Sequence, residues 1–206
     1  MEAALEIFDC EQNSDDWREA RRGVVTASNF ASVLAKGEGK TRATYMRKLA
    51  GEIITGEVMP SYSNAAMERG HVMEQEAIDK FAFIHGYQPL EVGFMRRGRV
   101  GASPDRVVNW EEDAIHALIE AKSKEPHILI ECLERGKLPP EHVAQTQGQL
   151  WVSGVDVCHF IAYWPGMPLF HVEVKEDRSY HDRLANECGA FVEELDAMVE
   201  RIRNYQ

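Results

Sequence analysis

Cysteine is scarce and scattered: Cys10, Cys132, Cys158 and Cys188 are the only four in 206 residues, and no CxxC pair occurs. That spacing gives no support to a zinc or iron–sulfur site. In a chain without an export signal, such thiols read as reduced residues of a cytoplasmic protein. No apolar run reaches the roughly 18 residues a membrane-spanning helix needs, so no membrane partner is expected. The opening MEAALEIFDCEQNSDDW is acidic and lacks a basic segment followed by an apolar one, so no signal peptide is expected either. Repeats, low-complexity tracts and linkers are absent, and residues 1–206 are expected to form a single domain. Basic residues are outnumbered, 23 Lys and Arg against 34 Asp and Glu. The formal net charge of −11 disfavours indiscriminate binding of nucleic acid by the whole surface, while leaving room for a local basic site.

What is present is an ordinary globular composition, 44% hydrophobic and 28% charged, with strong local patterning. DDWREARRG reads as a short helix with an acid-rich start and Gly23 at its end. TASNFASVLAK reads as a second helix capped by Thr26 or Ser28, and a third spans Thr41 to Thr55. Between Met67 and His85, Glu74, Ala77, Ile78 and Phe81 follow the i, i+3, i+4, i+7 stripe, and Gly86 stops the helix. Strand-like segments follow near 91–102, 105–109 and 114–122, with NWEED as a hairpin turn between the last two. Pro139 and Pro140 open a helix to about Ser153. Strands near 156–164 and 168–175 and a long helix over 179–204 complete the chain. This order predicts an α/β (α+β) fold with a central mixed β-sheet flanked by helices.

In HALIEAK, alternation sends Ala117, Ile119 and Ala121 to one sheet face and Leu118, Glu120 and Lys122 to the other. Pairing of 105–109 with 114–122 brings Asp105 to the same region. Carboxylates held a few ångströms apart repel unless positive charge sits between them. A hard divalent cation, typically Mg²⁺, meets that need and also binds a substrate phosphate. Lys122 is then placed to orient or deprotonate the attacking water and to offset charge building on phosphorus. A plainer account also fits these three residues: a Glu–Lys pair on a solvated strand, with Asp105 serving a turn. Two further polar residues stand on apolar stripes, Glu74 in its helix and Gln147 among Val143, Ala144, Leu150 and Trp151. Taken singly, each is also explained as a stripe-edge glutamate reaching solvent or a core glutamine bonded to backbone.

The order Glu74, Asp105, Glu120-x-Lys122, Gln147, written here as SPD…EAK, resembles the restriction-endonuclease-like PD-(D/E)xK nuclease superfamily. The segments WREARRGVVTASNFA, RGHVMEQEA, GASPDRVV, LIEAKSK, HVAQTQGQLWVSG and FIAYWP, in this order, resemble the phage-lambda-type exonuclease or YqaJ-like viral recombinase family. The likeness runs from about Trp17 to Lys175. It implies an exonuclease, dependent on Mg²⁺ (Mn²⁺ as a substitute), that digests one strand of duplex DNA from a 5′-phosphorylated end. The product is a 3′ overhang for a single-strand annealing recombinase protein in a bacterial host cell, and the enzyme is a ring-shaped homotrimer. By the same likeness Asp105 and Glu120 are metal ligands, Lys122 the catalytic lysine and Glu74 a further active-site acid. Gln147 and Tyr163 line the site, and Arg21, Ser28 and Ser103 hold the terminal phosphate. His71 departs from the family, standing where the lambda-type enzyme has a lysine. Two other functions remain open on the same residues, a structure-specific or restriction-type endonuclease and a non-catalytic DNA-end-binding accessory module.

Overall fold

A computed structural model describes residues 3–35, 40–58, 65–109 and 114–205, with backbone alone at 65–68 and 109. A short strand β1 (Leu5–Phe8), not anticipated from the sequence, leads to α1 (Asp15–Arg21), which Ser14 caps by accepting from the Trp17 amide. After β2 (Val25–Thr26), the helix expected from Thr26 is divided into a 3-10 turn at Ala27–Asn29 and α2 (Phe30–Leu34). Neither proposed cap residue bonds a helix amide there; Thr26 and Ser28 bond each other's hydroxyls instead. Next come α3 (Lys40–Thr55), α4 (Ala65–His85) and β3 (Pro89–Leu90). The segment expected as one strand over 91–102 is a hairpin, β4 (Phe94–Arg97) and β5 (Val100–Ala102), turning at Gly98 with φ +57°.

β6 (Arg106–Asn109) and β7 (Ile115–Ser123) pair antiparallel; residues 110–113 of the expected NWEED turn lie outside the described residues. Two helices follow where one was expected, α5 (Pro126–Arg135) and α6 (Pro140–Ser153). Then come β8 (Val157–Tyr163), β9 (Phe170–Lys175) and α7 (Arg178–Arg203). The missed α5 has the punctuation of a helix, Pro126 in its first turn and left-handed Gly136 just past its end. It buries Leu129 and Cys132.

The expected mixed sheet flanked by helices is present, and among the described residues the strands form two sheets, ordered β1-β4-β5-β2 and β3-β6-β7-β8-β9. β7 and β8 run parallel, so the chain must cross over between them, and α5 and α6 make that crossover. Register pairs Leu118, Glu120 and Lys122 with Cys158, Phe160 and Ala162 on one face of the larger sheet. That face belongs to the main core, which also takes the α7 stripe of Leu184, Cys188, Phe191, Leu195 and Val199. Against the opposite face, Ala77, Ile78 and Phe81 of α4 pack on Ala117, Ile119, Ala121 and Ile161. β7 is therefore covered on both sides, and the solvated-strand account of Glu120 does not hold: the residue is 1% exposed. Gly148 lets α6 approach α2; a Cβ there would stand 2.3 Å from the Phe30 ring. The cysteines are all free thiols, and no described helix is long and apolar enough to cross a membrane.

Candidate active site

The Asp105 amide donates to the Ile119 carbonyl at 3.0 Å, extending the β6–β7 ladder by one residue and setting Asp105 beside Glu120. The Asp105 carboxylate then turns inward and accepts from the Ala121 amide at 2.7 Å. Glu120 cannot stay ionised in the core without partners, and it has three. Lys122 Nζ is paired with Oε1, Gln145 Nε2 donates to Oε1 at 2.5 Å, and Gln149 Nε2 donates to Oε2 at 2.5 Å. Glu74 reaches the same place from α4, with His71 Nδ1 3.4 Å from its Oε2. Glu74 and Asp105 share the wall of a cleft of about 260 Å³ with His71, Glu91 and Arg106.

The electrostatics are those of acids crowded in a partly buried site. Burial, then the Glu120 charge, pushes the Asp105 carboxyl well above its ordinary range, against the opposing pull of Lys122. Glu74 is also raised, mainly by burial, with Lys122 and His71 opposing. Burial alone would lower Lys122, but Glu120 and Asp105 outweigh it and hold the ammonium charged beyond the usual lysine range. As it stands, Lys122 is a source of positive charge and not a base. Among the described residues no three acid, histidine or cysteine side chains already converge as a ready-made ligand set. Glu120 is turned instead to Lys122 and the two glutamines. The donor chemistry nevertheless fits a hard cation: the oxygens of Asp105 and Glu120 repel one another, and Glu74 adds a third carboxylate within electrostatic reach.

Two predicted residues are not brought to this cluster. Gln147 Nε2 donates to the Lys175 carbonyl at 2.8 Å and its Oε1 accepts from the Asp177 amide at 2.9 Å, so it fastens the β9–α7 junction. Gln145 and Gln149, unnoticed in the sequence, contact Glu120 in its stead. Their i, i+4 spacing puts them on one helix face, with Gln147 nearly opposite. Tyr163, 4% exposed, belongs to the face under α4, where Lys80 Nζ lies 5.1 Å from its ring.

The turn before Asp105 leads into a second feature. Ser103 Oγ donates to the Gly93 carbonyl at 2.8 Å and accepts from Trp17 Nε1 at 2.9 Å and from Arg21 at 3.3 Å. The Arg21 guanidinium lies 3.9 Å from the Trp17 ring centre and, among the described residues, is paired with no carboxylate. Burial lowers it to about 10, with Tyr45 and Glu52 opposing, so it remains charged at neutral pH. A half-buried arginine beside a hydroxyl, with no carboxylate partner among the described residues, is suited to an incoming anion. Ser28 is not in contact with either residue. It is exposed and shares weak bonds at 3.3 Å with Thr26 and Asn29, while the Thr26 amide donates to Tyr45, a neighbour of Arg21.

Residues 16–156 match the model of the YqaJ-like viral recombinase domain. An alkaline exonuclease (LHK-Exo) from Laribacter hongkongensis is 32% identical, with 92% of this chain and 96% of that one covered and a TM-score of 0.82. The same protein in complex with dAMP matches equally. A phage-related exonuclease from Haemophilus somnus 129PT, 13% identical, matches over 87% of this chain and 96% of its own with a TM-score of 0.64, a likeness of fold. No curated protein matches the chain significantly.

Proposed function

Because this chain belongs to the YqaJ-like viral recombinase family and is a lambda-exonuclease-like nuclease, we propose that it digests one strand of duplex DNA 5′→3′ from a phosphorylated end. The observation that carries the reading is the meeting of Asp105, Glu120 and Lys122 at one sheet end, two residues from the Ser103 that bonds a half-buried Arg21 with no carboxylate partner among the described residues. Asp105 and Glu120 would hold Mg²⁺, or Mn²⁺ in its place, with Glu74 nearby. When bound, the cation polarises the scissile phosphate and favours attack by water. Gln145 and Gln149 fix the Glu120 carboxylate, and the Lys122 ammonium offsets charge developing on phosphorus. Water adds to phosphorus and the bond to the 3′ oxygen breaks, releasing a 5′-mononucleotide.

Each such cleavage leaves a fresh 5′-phosphate on the shortened strand. Arg21 and Ser103 are suited to take that group again, which links end recognition to polarity. The undigested strand becomes the 3′ overhang that a single-strand annealing recombinase uses. A single nuclease domain over residues 1–206, assembled as a ring-shaped homotrimer on duplex ends in a bacterial cytoplasm, completes the proposal. A linear duplex labelled at either end, with and without 5′-phosphate and with and without EDTA, tests it. Loss of the 5′ label first, only with metal and faster from phosphorylated ends, is expected. Cleavage of covalently closed circles would point to an endonuclease instead, and release of no nucleotide at all to an end-binding module.

A further inference from the structure

Arg106 follows the candidate ligand Asp105 in sequence and faces α4, the helix that supplies Glu74. Its Nη1 donates to the Asp105 carbonyl at 2.6 Å and its Nη2 to Gln75 Oε1 at 2.6 Å. Gln75 is the next residue after Glu74, and its own Nε2 donates to Asp79 Oδ1 at 2.7 Å, which fixes the amide with its oxygen toward the arginine. Nη2 also meets Glu91 Oε1 at 2.9 Å. One planar fork thus joins the backbone that presents Asp105 to the helix turn that presents Glu74. On the other side of the same turn, Gln12 Nε2 donates to the Pro104 carbonyl at 2.9 Å and to the Val92 carbonyl at 2.9 Å. The Asp105 turn is held from both flanks.

We infer that Arg106 is a positioning residue that sets the spacing of Glu74 and Asp105 by bracing α4 against β6, and that it does not serve as a contact to DNA. The inference rests on the reading that Asp105 and Glu120 hold a divalent cation with Glu74 beside them. Its geometry argues against a role on the substrate, because both terminal nitrogens are engaged by protein oxygens and one of its partners is a carboxylate. A lysine could reach one of these partners but lacks the fork that reaches two. Outer residues that orient ligands alter metal affinity with no contact to the ion, by about 10–100-fold when removed.

The test is Mn²⁺ binding to the full chain, followed by electron paramagnetic resonance, alongside steady-state kinetics on linear duplex at saturating Mn²⁺. Arg106→Ala should weaken Mn²⁺ binding by about tenfold and leave the KM for DNA unchanged, with Arg106→Lys recovering only part of the loss. Gln75→Ala, an exposed change that severs the α4 end of the brace together with the Gln75–Asp79 bond, should weaken Mn²⁺ in the same direction; it carries the test if Arg106→Ala does not fold. Wild-type Mn²⁺ affinity in Arg106→Ala, or in Gln75→Ala where that variant carries the test, overturns the inference. A rise in KM for DNA with Mn²⁺ affinity intact overturns it too, by making Arg106 a substrate contact. A wild-type chain that binds no Mn²⁺ sinks the metal reading itself and this inference with it.

Discussion

A carboxylate that is 1% exposed keeps its charge only through its neighbours, and the neighbours of Glu120 define what each glutamine of α6 does. Gln149→Ala removes the hydrogen bond that Oε2 accepts and leaves that buried oxygen without it, so activity should fall with stability. Gln147→Ala releases one carbonyl and one amide at the β9–α7 junction; it should cost about 1–3 kcal/mol of stability and spare kcat for the fraction that is folded. Melting curves beside single-turnover rates separate the two cases. Lys122→Ala should lower kcat by about 100-fold or more, as loss of a charge-stabilising donor does, with duplex binding retained in a gel-shift assay. Arg21→Ala should weaken a charge-assisted bond of about 1.5–3 kcal/mol, so the preference for phosphorylated over unphosphorylated ends should vanish in a competition assay. Equal loss on both kinds of end would remove Arg21 from phosphate recognition. The acids and lysine were legible in the sequence because strand alternation assigns a face without further knowledge. The glutamine was misread because α6 is buried at nearly every position from Thr146 to Ser153, and a helix covered all round offers no stripe to interpret.

At the level of elements, α4, β8 and β9 meet through a ring cluster whose protonation state ties their packing to pH. His159 Nδ1 and His171 Nε2 are 3.1 Å apart, and Phe81, His85 and Tyr87 pack around them, with Glu173 near. Burial, then His159 and His85, lowers His171 to about 4; burial lowers His159 as well, His85 adding to it and Glu173 opposing. These rings are stable in the fold as neutral groups. The unfolded chain takes up their protons first as pH falls below about 6.5, so stability is full above that value and is lost toward about 4. Tm should therefore drop between pH 7 and pH 4.5. His171→Phe, which keeps a ring against Phe81 and cannot titrate, should flatten the slope; an unchanged slope would assign the acid sensitivity elsewhere. Long elements such as α3, α4 and α7 were anticipated along the chain, α4 from its i, i+3, i+4, i+7 stripe. The split of 91–102 into two strands and the assembly of two sheets were not, because they depend on a left-handed Gly98 and on pairing with β1 and β2, distant partners that a local pattern does not name.

Taken as a whole, the molecule spends most of its prominent basic charge on itself. Arg42 makes a two-bond fork to Glu194 at 2.7 and 2.8 Å, Arg96 meets Glu6 at 2.6 Å and Arg99 meets Asp196 at 3.0 Å. These three arginines thus hold acids distant in the sequence, which no reading along the chain could foresee. The acid cluster around Asp105 is the reverse case, with three carboxylates and one ammonium in a partly buried site. A divalent cation that binds there binds the folded chain only, so it should raise global stability by mass action, by about 2.7 kcal/mol at a hundredfold excess over its Kd. For a chain of this size that is a rise in Tm of about 5–10 °C, reversed by EDTA. Asp105→Asn removes one charge from the cluster while its side-chain oxygen can still accept from Ala121. The metal-free variant should then be at least as stable as wild type and should gain nothing from Mn²⁺. Differential scanning fluorimetry of the two proteins with and without Mn²⁺ decides it: a wild-type Tm indifferent to the ion, or an equal rise in Asp105→Asn, would mean that these oxygens do not hold a metal.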